Sequence, residues 1–138
     1  MVVRREALRE RIAGLRAACV RLAELGTRPA TDPAAEWAAE RGLQIAAQAV
    51  FDIGNHVLAG GFAERPIDYA AVPEMLCRRG VIGPGLETRL RGLAGFRNLL
   101  VHDYARVDPE RVREMLRTRL PDFEAFATAV DEWLDGQT

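Results

Sequence analysis

The 138-residue chain is 49% hydrophobic and 28% charged with a formal net charge of −1. That is the balance of one globular domain with no global positive field to gather nucleic acid or a membrane. All 19 basic residues are arginine, and lysine and serine are absent, which excludes a Walker A lysine, a Schiff-base amine and a serine-hydrolase nucleophile.

Residues 4–25 carry Leu8, Ile12, Leu15, Cys19, Leu22 and Leu25 at spacings of three and four, the pattern of an amphipathic helix that Gly26 stops. Asp32-Pro33 reads as an N-cap and first helical position. The second helix is expected to run to about Ala59, with Gly60-Gly61 as its end. Trp37, Leu43, Ile45, Val50, Ile53, Val57 and Leu58 give it a wide apolar surface, so it should be central. Residues 60–68 read as loop, followed by a short helix over about 69–79 that Asp68 caps. A fourth helix is expected over about 84–101. Asp108-Pro109 starts a last helical stretch over 109–135, with a break at Pro121 and a frayed C-terminal end. No alternation of period two is present, so the expected fold is an all-α, up-and-down bundle of four or five helices in a single domain over 1–138. No apolar run approaches the ~20 residues of a membrane span. No signal-like segment follows Met1, so a cytoplasmic protein is expected.

The chemistry concentrates in RNLLVHDY, residues 97–104. Leu99, Leu100 and Val101 are core material that anchors the polar groups between them. Asn98 and His102 share a helix face, whereas Arg97 and His102 are five positions apart, about 140° around an ideal helix. Three arrangements would bring them together. The helix ends near His102, the arginine wraps toward it, or a second protomer brings its own copy to face the first. Histidine moves protons near neutral pH, and arginine pairs with phosphate and stabilises a phosphorane-like charge. RNA cleavage needs those two services, because its 2′-OH supplies the nucleophile. Spacing alone also fits a bland arrangement: His102 set against the helix dipole, Arg97 paired with an acid, and Tyr104 a core aromatic.

Other candidates carry less. Cys19 and Cys77 read as buried thiols. Asp52 and His56, four apart, read as a structural hydrogen bond rather than a metal pair. Arg78, Arg79, Arg89 and Arg91 form the densest basic region near the motif, and guide RNA phosphates, sit on a solvated face or meet an acidic partner. Trp37 and Trp133 read as core or interface anchors.

GFRNLLVHDYARVDPERV, residues 95–112, resembles the signature of HepT-like proteins, a branch of the HEPN superfamily with the pattern R-x4-H-x-Y. Arg97, His102 and Tyr104 fill its three positions, and Asn98 is the usual residue after the arginine. PIDYAAVPEMLCRRGVIGPGLETRLRGLAGFRN and GLQIAAQAVFDIGNHVLA are similar to upstream helices of the family, so the likeness covers about residues 40–135. The resemblance implies a HEPN-type homodimer with the two motifs facing across the dimer cleft. It implies a toxin paired with a minimal nucleotidyltransferase antitoxin. Arg97 and His102 would be metal-independent endoribonuclease residues and Asn98 a positioning group. Tyr104 would accept AMP from the antitoxin, with ATP and Mg2+ needed only by that partner and no cofactor held by this chain. A second reading is a non-catalytic HEPN adaptor or nucleotide-binding partner of the nucleotidyltransferase, and a third is a plain helical dimerisation module.

Overall fold

The computed structural model describes residues 3–29 and 31–137, with the side chain of Tyr104 outside that description. The 3.6-residue apolar period makes Arg5–Leu25 the first helix, α1, whose Leu8, Ile12, Leu15, Cys19 and Leu22 are all buried. Asp32 accepts from the backbone N–H groups of Ala34 and Ala35, at 3.1 and 3.2 Å, and starts α2, Pro33–Phe62. This cap satisfies donors that have no partner in the first turn. Helix α2 is central as expected, packed against α1 and against helices from the rest of the chain. Its buried face carries Leu43, Ala46, Ala47, Val50, Phe51, Ile53, Val57 and Leu58. Trp37 is not core: it is 76% exposed, and Ile45 is 46% exposed.

Helix α2 does not stop at Gly60-Gly61. It runs through both to Phe62 and ends on Ala63 in the left-handed region, φ 54°. The physical reason is a close approach, since a Cβ on Gly61 would lie 2.8 Å from the Trp133 ring. The bare backbone accepts the indole, which also tilts on Phe62 with ring centroids 5.8 Å apart.

Asp68 caps a 3-10 turn, Tyr69–Ala71, by accepting from Ala71 N–H at 3.0 Å. The turn feeds α3, Val72–Arg78, where Pro73 lies in the first turn and so starts the helix instead of breaking it. The single helix expected over 84–101 is two: α4, Pro84–Leu90, and α5, Leu93–His102. Gly92 takes φ 83° between them, a conformation open to glycine at no steric cost. A second 3-10 turn, Tyr104–Arg106, leads to Asp108, which caps α6, Pro109–Thr118. The last stretch breaks at Arg119 and continues as α7, Leu120–Asp135, with Pro121 in its first turn. The C-terminal end is not frayed, because Leu134 is fully buried and Gln137 N–H bonds to its carbonyl at 3.0 Å.

The described residues are therefore all-helical, in seven α-segments where four or five were expected, and the excess comes from the two internal breaks. Polar contacts tie α7 across α1. Asp131 accepts from Arg9 at 2.8 Å and Arg16 at 2.5 Å, and Asp135 accepts from Arg9 at 2.7 Å. No described helix is long and apolar enough to cross a membrane.

Candidate functional site

Helix α5 carries Arg97 half-buried and Asn98 and His102 exposed, while Phe96 and Leu100 fix the helix to the core. The arginine is held from three sides. Its Nε donates to Gln48 Oε1 on α2 at 2.8 Å, and its Nη1 donates to Asn98 Oδ1 at 3.1 Å. Its guanidinium lies over the Tyr69 ring, 5.4 Å from the centroid, a cation–π contact.

Each of these supports is itself held. Gln48 Nε2 donates to Asp52 Oδ1 at 2.9 Å and to the Tyr69 hydroxyl at 3.1 Å. The Tyr69 ring stacks on Phe51 with centroids 4.9 Å apart and an interplanar angle of 4°. Two of the guanidinium's three nitrogens are thus occupied by neutral oxygens, and among the described residues no carboxylate pairs with it. A cation oriented by neutral acceptors keeps its full charge for an incoming anion, which an ion pair would cancel.

His102 is the last residue of α5. The next residue, Asp103, leaves helical geometry at φ −149°, ψ 45°, while its N–H still bonds to Leu99 at 3.0 Å. Because α5 stays helical through His102, the angular offset from Arg97 persists. Arg97 turns toward α2, not along its own helix toward the imidazole. Of the three arrangements, wrapping of Arg97 within one chain is not what the structure adopts. The backbone of Tyr104 opens the following 3-10 turn, and its side chain, the expected AMP acceptor, lies outside the described residues.

Several other expectations change. Asp52 bonds to Gln48, not to His56, which is exposed. Among the described residues no three His, Cys, Asp or Glu side chains gather as metal ligands. The basic region near the motif is largely consumed by ion pairs: Arg79 with Glu64 at 2.5 Å, Arg89 with Asp122 at 2.8 Å and Arg91 with Glu87 at 3.1 Å. Cys19 is buried and Cys77 half-buried, and both are free thiols. Burial, with Glu124 nearby, pushes the Cys19 thiol up to about 11.

Gln48 and Tyr69 do not stand out in the sequence as site residues. A signal exists, because Arg41, Gln44, Gln48 and Asp52 repeat at three and four along an otherwise apolar helix. A polar stripe on a central helix marks a face with polar work to do.

Comparison with known proteins places this geometry among relatives. The family described as HepT-like ribonuclease matches residues 10–130, a span that includes α2 and the whole of 97–104. The chain is 26% identical over 95 residues to the tRNA nuclease HepT of Aphanizomenon flos-aquae, covering 69% of this chain and 65% of that one. It is 28% identical over 88 residues to the mRNA nuclease HepT of Shewanella oneidensis, covering 64% and 66%. The matches thus span about two thirds of the length of these curated relatives. Among solved structures, the cytosolic protein YutE of Bacillus subtilis superposes with a TM-score of 0.87 at 18% identity, covering 99% of this chain and 94% of that one. A tri-AMPylated HEPN toxin of Shewanella oneidensis, solved in complex with an MNT antitoxin, superposes with a TM-score of 0.82 at 23% identity, covering 91% and 96%. At these identities the superpositions establish a shared fold.

Proposed function

Because the chain belongs to the HepT-like ribonuclease family, we propose that it is an RNA-cleaving toxin that works as a symmetric dimer and is silenced by a nucleotidyltransferase antitoxin. The observation that carries this reading is the state of the R-x4-H pair. Arg97 is oriented by neutral partners with its charge uncancelled, and His102 stands exposed at the end of the same helix.

Their offset of about 140° keeps one chain's pair from converging on one phosphate. Two-fold symmetry resolves this by setting Arg97 of one copy beside His102 of the other. In the cleft, His102 accepts the proton of an RNA 2′-OH and the 2′ oxygen bonds to phosphorus. The P–O5′ bond then breaks, and the departing oxygen takes a proton from water. The products are a 2′,3′-cyclic phosphate and a 5′-OH end. Arg97 holds the non-bridging oxygens and stabilises the added charge of the transition state, with Asn98 keeping the guanidinium in register. Single-stranded regions are the substrate, because only a splayed backbone reaches in-line geometry. The chain needs no cofactor for this step.

Tyr104 follows His102 by two residues, and AMP placed on its hydroxyl would bring bulk and negative charge into a cleft built for an anion. ATP and Mg2+ serve only the antitoxin. The relatives' names and the AMPylated neighbour support this assignment of roles.

The test compares wild type with His102→Ala on single-stranded RNA in the presence of EDTA. Wild type cleaves, and the variant is slower by about 10²- to 10⁴-fold, the usual contribution of a general acid–base. Equal activity of the two, or wild-type activity abolished by EDTA, overturns the mechanism. Tyr104 is tested separately. With the cognate nucleotidyltransferase and ATP, the intact chain gains the mass of one or more AMP groups and Tyr104→Phe gains none.

A further inference from the structure

The arginines dense in sequence are spent on ion pairs, yet three that are distant in sequence meet in one groove. Arg11 on α1, Arg41 on α2 and Arg97 on α5 line an open cleft of about 460 Å³, together with Gln44, Gln48 and Ile45. Among the described residues neither Arg11 nor Arg41 forms an ion pair, and both are exposed. Asp52 is the one carboxylate of this lining, and its Oδ1 already accepts from Gln48. Three guanidinium charges against one carboxylate leave the groove positive in a chain whose net charge is −1. Such a local concentration of guanidinium groups favours a polyanion whose charges recur along a chain. The Gln44 amide offers donors and an acceptor to sugars, and Ile45, 46% exposed, offers an apolar surface to a base. Gly14 keeps the α1 wall low, with open space where its Cβ would be.

We propose that the groove between α1 and α2 binds the sugar–phosphate backbone of the RNA strand flanking the scissile phosphate, with Arg11 and Arg41 as its phosphate contacts. The inference rests on the ribonuclease reading above and extends it from one phosphate to a strand. The groove is continuous with the reacting site, because Arg97 lines it at the edge nearest α5. Arg11 and Arg41 touch flanking phosphates only, so they govern binding and leave the chemical step to Arg97 and His102.

The experiment uses the full chain and a fluorescent single-stranded DNA oligonucleotide, which lacks the 2′-OH and cannot be cleaved. Its affinity is measured by anisotropy across a salt series for wild type, for Arg11→Gln/Arg41→Gln, and for the control Arg28→Gln/Arg65→Gln, two exposed arginines outside the groove. The groove variant is expected to bind about tenfold more weakly at low salt. The slope of log K against log salt is expected to fall by about 1.4, or ~0.7 for each phosphate that an arginine no longer neutralises. The control keeps the wild-type slope. On RNA, the groove variant raises KM and keeps kcat.

Unchanged binding, an equal loss in the control, or no oligonucleotide binding by wild type overturns the proposal. So does conversion of the variant from dimer to monomer in sedimentation, which would make the groove an interface between copies. Wild type that binds the oligonucleotide, with the groove variant's slope reduced as expected, but cleaves no RNA supports the groove and removes the ribonuclease reading, so the two fail separately.

Discussion

Gln48 is the residue through which the fold orients Arg97, the arginine proposed to be catalytic, and Gln48→Met tests that role. Methionine keeps the length of the side chain and its packing while deleting three hydrogen bonds: from Arg97 Nε at 2.8 Å, to Asp52 at 2.9 Å and to the Tyr69 hydroxyl at 3.1 Å. The bonds to the guanidinium and to the Asp52 carboxylate are charge-assisted, worth about 1.5–3 kcal/mol each when buried, and the bond to the Tyr69 hydroxyl contributes about 1 kcal/mol. All three are only part-buried, and water replaces part of each. The net loss of stability is therefore about 1–2 kcal/mol, read as a lowered urea midpoint with unchanged m-value.

The effect on activity should be larger than that stability loss implies, because the guanidinium loses one of its three supports and samples other directions. A misplacement of about 1 Å costs on the order of 10²-fold in rate. The variant is expected to lose about 10- to 100-fold in kcat with KM for RNA within about threefold of wild type, since uniform binding is untouched. Gln48→Glu is the companion. It retains an acceptor for Arg97 Nε but places a second carboxylate four residues before Asp52 in the groove. It should keep more of kcat and raise KM. A Gln48→Met enzyme with wild-type kcat would refute the positioning argument, because Arg97 would then be oriented without Gln48.

Four further outcomes concern the fold. Gly54→Ala drives a Cβ into Val72 Cγ1 and should destabilise by about 1–3 kcal/mol. Gly14→Ala meets nothing within 4 Å inside α1 and should stabilise by about 0.5–1 kcal/mol, both read by chemical unfolding. Asp131→Asn removes the shared acceptor of Arg9 and Arg16, costing about 1 kcal/mol at low ionic strength and less in 1 M salt. Native Cys19 should resist a thiol reagent at pH 8 while half-buried Cys77 reacts, with Cys19 labelled only on unfolding. Its raised pKa means that the folded state holds the thiol proton longer. That contribution to stability is complete below the ordinary value of 9.0 and is lost as pH rises through about 11.

What the sequence disclosed was what short-range physics controls. Asp32 and Asp108 cap backbone groups two or three residues away, so their helix starts were legible. The apolar period of α1 survives intact in its buried face. Gly60-Gly61 misled because the local preference of glycine for helix ends lost to an approach by Trp133, a partner far along the chain. The break at Gly92 is hidden because the apolar period continues on both sides of it. The R-x4-H spacing marked the proposed reacting groups but not the supports of Arg97. Gln48 and Tyr69 reach Arg97 from other elements, and no local window contains them. The role of the basic stretch from Arg78 to Arg91 stayed open in the sequence for a like reason, since Glu64 and Asp122, two of the acids that neutralise it, lie outside it.

Complementation between two dead variants addresses the shared-cleft claim. Arg97→Ala and His102→Ala, each inactive alone, are mixed, unfolded and refolded together, and assayed on single-stranded RNA. If Arg97 of one copy acts with His102 of the other, half the dimers are mixed and each carries one complete pair, restoring about a quarter of wild-type activity. A mixture that stays as inactive as its components contradicts the account.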